Sequence, residues 1–314
     1  NVIIDGSNNG SSSKNMTITN TNTASSGNAV LWLASASSTD GATNNTIKNC
    51  IINGNSDITT LMGIFSGGTA SISTTGNALT DNPANTIQNN TISKSQYGIF
   101  VTGVSTSALS TGLTITGNAL GSPAAGDGFL TGGIDVRLQT GATISNNDVQ
   151  NIVGAGTVNM QGINLQDSKS SVVSANKVHF MNYSGASTTR LYGITTSTAA
   201  FNTAGNQSAN TYANNAVYDL VSSGTSSVWN VSGINNNGGY NDKYYYNSVY
   251  LTGQMSSTGS GSSATFSNGN AATTANCPVT DIRNNQFYMK GSSLVSSILY
   301  VHYTTLSNYS GSTV

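Results

Sequence analysis

A six-residue pattern recurs along the chain: an apolar residue, any residue, a polar pair built on Asn, any residue, then a second apolar residue. Copies lie at Ile47–Ile52, Ile87–Ile92, Ile115–Leu120, Ile144–Val149, Val173–Val178, Tyr212–Val217, Tyr244–Val249 and Ile282–Phe287. A degenerate copy starts at Ile18 and runs Ile18-Thr19-Asn20-Thr21. With the second residue of the central pair as a marker, the positions are 21, 50, 90, 118, 147, 176, 215, 247 and 285, so the intervals are 29, 40, 28, 29, 29, 39, 32 and 38. A fixed short period with occasional longer intervals predicts one structural repeat per interval, with loops inserted in the longer ones.

A Gly-Ile pair follows in most repeats, at Gly63-Ile64, Gly98-Ile99, Gly133-Ile134, Gly162-Ile163, Gly193-Ile194 and Gly233-Ile234. Around it, Ile134-Asp135-Val136-Arg137-Leu138 alternates apolar with polar, the period of a half-buried strand. Each repeat therefore reads as a strand into the Asn pair, a strand out of it, a variable loop and a third strand at Gly-Ile. The two apolar positions flanking the pair predict two buried ladders. One takes Ile18, Ile47, Ile87, Ile115, Ile144, Val173, Tyr212, Tyr244 and Ile282. The other runs from Ile52 and Ile92 to Val249 and Phe287. The bend between them needs a residue that tolerates the left-handed region, as Asn does. Stacked Asn side chains can also bond from repeat to repeat, as in cross-β ladders. Asn90, Asn118, Asn147, Asn176, Asn215, Asn247 and Asn285 are read as that structural turn ladder, with Cys50 standing in for one of its members.

The expected fold is all-β: a right-handed parallel β-helix solenoid of about nine coils, three strands per coil. It spans residues 1–314 as a single domain, read as a fragment of a longer chain lacking both caps. The pattern resembles the β-helix shared by pectate lyases and many phage tailspikes. The opening Asn1-Val2-Ile3-Ile4-Asp5-Gly6, followed by Met16-Thr17-Ile18-Thr19-Asn20-Thr21 and Gly41 to Cys50, resembles large cell-surface proteins of Bacteroidota exported by type IX secretion. That resemblance implies an extracellular or cell-surface location.

Composition narrows the function. Ten Lys and Arg balance eleven Asp and Glu, so no basic field exists to hold phosphates, and nucleic acid is excluded as a partner. No apolar run approaches the roughly 18 residues of a membrane helix. Apolar residues make up 36% of the chain, enough to fill repeated cores and too many for a disordered tail. Only Cys50 and Cys277 are cysteines. Lying in distant repeats, they are expected not to bridge. Thr and Ser look concentrated in irregular loops rather than at one repeated outward position, which argues against an ice-binding array.

Candidate chemistry is sparse. If Ile134 and Val136 face inward, Asp135 and Arg137 face outward together, with Asn164 and Gln166 one repeat on. β-helix lyases pair a cluster of carboxylates for Ca²⁺ with an Arg or Lys base; here the strand carries one carboxylate, so a surface ion pair is the plainer expectation. No second carboxylate stands opposite for glycoside hydrolysis. His179 and His302 lie in different repeats without metal-ligand partners. Tyr245, expected to face outward, is a candidate sugar- or protein-stacking residue. No metal and no cofactor are expected. The reading is a non-enzymatic extracellular scaffold, adhesin or filament module whose partners are a polysaccharide or another protein chain. The alternatives are a polysaccharide-lyase-like enzyme and a phage tailspike.

Overall fold

The computed structural model describes residues 1–24, 27–68, 70–225, 229–256, 262–269, 279–290, 292–293 and 299–304. Among them every regular element is a β-strand. The strands leading into the Asn pairs form a nine-stranded sheet running from Ile3–Asp5 to Thr280–Arg283. Each pairs in parallel with its counterpart one repeat on: Ile4 with Ile47, Ile47 with Ile87, and so to Tyr244 with Ile282. Strands leaving the pairs stack likewise, from Met16–Thr19 to Gln286–Met289. The Gly-Ile strands form a third stack, from Ala29–Ser35 to Leu299–Thr304. Isolated pairings such as Phe129 with Ile152 join the second and third stacks into one 19-stranded sheet. Parallel neighbours need a crossover. Here the crossover is the other two strands of the repeat, so the arrangement is compatible with a parallel β-helix.

The Asn pair divides its two tasks between its two residues, a refinement of the sequence reading, which gave both to the marker. The first residue makes the bend: Asn49, Asn89, Asn146, Asn214 and Asn284 all hold φ between 50° and 57°, as do Ala175 and Tyr246, and Gly117 takes the same place at φ 66°. The second residue points inward. The backbone N–H and the Nδ2 of Asn118 both donate to Asn147 Oδ1 at 3.0 Å, and Nδ2 also donates back to the carbonyl of Ile87. The same three bonds recur at Asn90, Asn147, Asn176, Asn215 and Asn247. A buried amide is costly only when unpaired, and these amides are paired on every side. Cys50 takes the ladder position in the second repeat: its N–H donates to Asn90 Oδ1 at 3.0 Å and its side chain is buried.

A second run of side-chain caps, unforeseen from sequence, lies where several strands of the first sheet begin. The N–H of Asn45 donates to Asn85 Oδ1, that of Ala142 to Ser171 Oγ, that of Ser171 to Asn210 Oδ1, and that of Asn210 to Asp242 Oδ1.

Both apolar ladders form, with one correction of register. Ile18 pairs with Ile52, and Met16 with Cys50, so Ile18 heads the second ladder. The head of the first is Ile4. The first repeat inserts residues 6–15 into its turn, where the second has only Asn49, and this displaces the motif. From Ile47 to Ile282 and from Ile52 to Val249 the ladders are buried; Ile18 and Phe287 are half-buried against the same core.

The recurring glycines have a packing cause. A Cβ on Gly133 would stand 2.2 Å from Val149 Cγ1, and one on Gly162 2.2 Å from Val178 Cγ1. Gly193 and Gly233 face Val217 and Val249 as closely. The third stack lies so close to the second ladder that the branched side chains occupy the space.

One premise about the surface is overturned. Thr46, Thr86, Thr114, Thr143 and Thr211 occupy a single repeated position on the first sheet's outer face, in register and interrupted by Val172. β-Branched residues suit an exposed, pleated surface, and Lys243 ends the row.

Candidate functional site

The strand Phe129–Arg137 carries Asp135 and Arg137 on its outer face, and Asn164 and Gln166 pair with them one repeat on. Four of the residues singled out from sequence are thus brought together. They do not form a loose surface ion pair. Asp135 is 2% exposed. Arg137 Nε donates to Asp135 Oδ1 at 2.7 Å and Nη2 to Oδ2 at 2.8 Å, a bidentate fork. Nη1 donates to the carbonyl of Thr74 at 2.8 Å, and the guanidinium carbon lies 4.6 Å over the ring of Phe100. Asn164 Nδ2 adds a bond to Asp135 Oδ1 at 3.1 Å. The burial comes from Phe100, one repeat before, and from the segment around Thr74, more than sixty residues upstream. Neither is visible from the strand's own alternation.

These contacts set the electrostatics. Burial pulls the Arg137 pKa down, but the hydrogen bonds and charge of Asp135 outweigh it and hold the guanidinium still more firmly protonated than usual. Burial together with the nearby Asp135 pushes the Tyr97 hydroxyl up to about 12.

Beside Arg137 opens a cleft of about 430 Å³, lined by Thr74, Thr75, Asn77, Ser105, Thr106, Arg137, Leu138, Gln166 and Asp167. Its wall is braced by Asn77, which accepts from Thr102 Oγ1 and donates to the carbonyl of Val104. Asp167 sits at φ 43°, and its Oδ1 accepts from Thr198 Oγ1 and the N–H of Ala199. Thr74 and Thr106 escaped the sequence reading, while Asp167 was marked there only by lying just beyond Gln166.

Tyr245 is not part of this cluster. It lies on the first sheet, where its hydroxyl donates to Asp281 Oδ2 at 2.6 Å, and it lines a shallow depression of about 270 Å³ with Tyr246, Arg283 and Asn284. His179 pairs with Asp148 at 2.8 Å and stacks on Tyr218. Among the described residues no three His, Cys, Asp or Glu side chains converge as a metal site would need, and no helix is long and apolar enough to cross a membrane.

Comparison with protein-family models, curated proteins and solved structures finds no match for this chain.

Proposed function

We propose that this chain is a nine-coil stretch of right-handed parallel β-helix from a bacterial cell-surface protein, and that it serves as a non-enzymatic stalk, adhesin or filament module. The observation that carries the reading is the unbroken parallel register of the first sheet through nine strands, bonded from repeat to repeat by buried Asn amides. Such a stack is stabilised by neighbour contacts and extends by adding repeats, which suits a spacer better than a catalyst. The polar, weakly charged surface accords with an extracellular scaffold. The resemblance to Bacteroidota surface proteins supplies the proposed route, type IX secretion.

Two measurements test this. Antibody raised against the chain should label intact producing cells, and protease added outside should remove the signal; a protein found only inside would end the surface reading. Incubation with acidic and neutral polysaccharides in the presence of Ca²⁺ should release no unsaturated or reducing ends. Release abolished by Arg137→Ala would make the chain an enzyme. A tailspike would sediment as a trimer.

A further inference from the structure

We infer that the cleft beside Arg137 binds a neutral saccharide unit through its hydroxyl groups, which would make the module a glycan-binding one. This rests on reading the cleft as a ligand site on a non-enzymatic surface module. Its volume, about 430 Å³, lies within the range of small-molecule sites.

Charge decides the ligand class. The guanidinium of Arg137 is matched by the buried carboxylate of Asp135, so the pair presents no net charge. Asp167 then leaves the cleft with one negative charge, and an anionic sugar, phosphate or sulfate meets repulsion rather than attraction. A divalent cation fares no better. Both oxygens of Asp135 are taken by Arg137, so Asp167 is the cleft's one open carboxylate, too few oxygen ligands for Ca²⁺.

What remains are donors and acceptors set side by side. A guanidinium has five N–H groups; three are used on Asp135 and Thr74, which leaves two. Asp167 spends Oδ1 on Thr198 and Ala199 and keeps Oδ2. Gln166 contributes an amide, both donor and acceptor, and Thr106 a hydroxyl. Neighbouring sugar hydroxyls each donate and accept, so a diol can bridge Arg137 and Asp167. The donors are positioned in advance: Arg137 is held by Asp135, by Thr74 and over Phe100, so little order has to be created on binding.

The test is calorimetric titration of the whole chain with neutral hexasaccharides (glucan, xylan, mannan and galactan types) against oligogalacturonate and oligoalginate. A neutral oligosaccharide should bind with a Kd of about 1 mM or tighter, and the acidic ones should bind more weakly. Gln166→Ala and Asp167→Asn should each weaken binding about tenfold, the loss of one strong hydrogen bond. Asn at 167 tolerates the left-handed backbone and can still accept from Thr198 and Ala199, so its melting temperature should hold. Val158→Ala, at an exposed position outside the cleft, should change nothing. The inference falls if no neutral sugar binds at about 10 mM, if the acidic oligomers bind tighter, or if both cleft variants bind like the parent. None of these outcomes touches the surface-module reading, which depends on location and lack of depolymerising activity.

Discussion

Asp242 occupies a position in the second run of caps where Asn85 and Asn210 stand in other repeats. Its Oδ1 accepts from the N–H of Asn210 and from Ser208 Oγ, while its Oδ2 is buried without a hydrogen-bond partner. Burial pushes its carboxyl up to about 7, against the opposing pull of those hydrogen bonds. The sign of the pH dependence follows from linkage. Between about pH 4 and 7 the folded chain keeps a proton that the unfolded chain has lost, so this residue makes stability fall as pH rises through that window, with no further change above it. Asn at this position would carry no charge. Asp242→Asn should therefore raise stability near pH 8 by a few kcal/mol and flatten the slope between pH 4 and 7. Urea melts of both proteins at pH 4, 6 and 8 check this; an unchanged slope would mean that the carboxyl stays ionised in the fold. A second residue is diagnostic of burial. Cys50 is fully enclosed and its thiol is pushed up by burial, so in the native protein it should resist alkylation that goes to completion in denaturant. Mass spectrometry after timed labelling reads the difference. Its distant counterpart Cys277, and the expectation that the two do not bridge, lie outside the described residues.

At the scale of the turn, the two residues of each Asn pair should respond differently to substitution. Asn146 supplies a left-handed φ of 55°, a conformation glycine adopts without strain. Asn147 supplies bonds to Asn118, Ile115 and Asn176 that nothing else can make. Asn146→Gly should cost about 1 kcal/mol or less. Asn147→Ala should cost about 3 kcal/mol or more, because several buried polar groups lose their partners together. Equal losses in a denaturant melt would refute the division. This contrast also marks how far the sequence could be read. Period, strand alternation and the inward apolar positions were legible because the stacking repeats the same demand every turn. The Gly-Ile pair was legible as a marker, but its reason, the branched side chain of Val149 or Val178 against it, belongs to another strand. The second run of caps was hidden because its members vary among Asn, Ser and Asp. The first repeat was misregistered because residues 6–15 fill its turn. Asp135 and Arg137 were picked out correctly as neighbours, while their burial depends on Phe100 and Thr74, and no local pattern announces a contact over such a distance.

Across the molecule, the stacked strands of each described repeat pair with those of the repeats on either side, while a few loop contacts such as Thr74 with Arg137 reach one repeat further, so a defect is felt chiefly through its neighbours. Ile144 sits in the middle of the first ladder, fully buried. Ile144→Asp would place an unpaired charge there and should destabilise the protein severely. If the repeats unfold as one unit, the loss should appear as a single earlier transition by circular dichroism, with Cys50 becoming reactive at the same urea concentration. Reactivity at a lower concentration would show repeats opening separately.

The Asn column has a direction. In every member from Asn90 to Asn247 the backbone N–H and one Nδ2 N–H point to the following repeat's Oδ1, the other Nδ2 N–H turns back to a backbone carbonyl, and the Oδ1 faces the preceding repeat. Side-chain dipoles so aligned add rather than cancel, and each bond polarises the next. The column is therefore electrically polar along the axis, with an oxygen-bearing end towards the early repeats and an N–H-bearing end towards the late ones. Two such columns can join only head to tail: a reversed repeat would set oxygen against oxygen. The same alignment that satisfies the buried amides gives the stack a grain, and any repeat added to it must follow that grain.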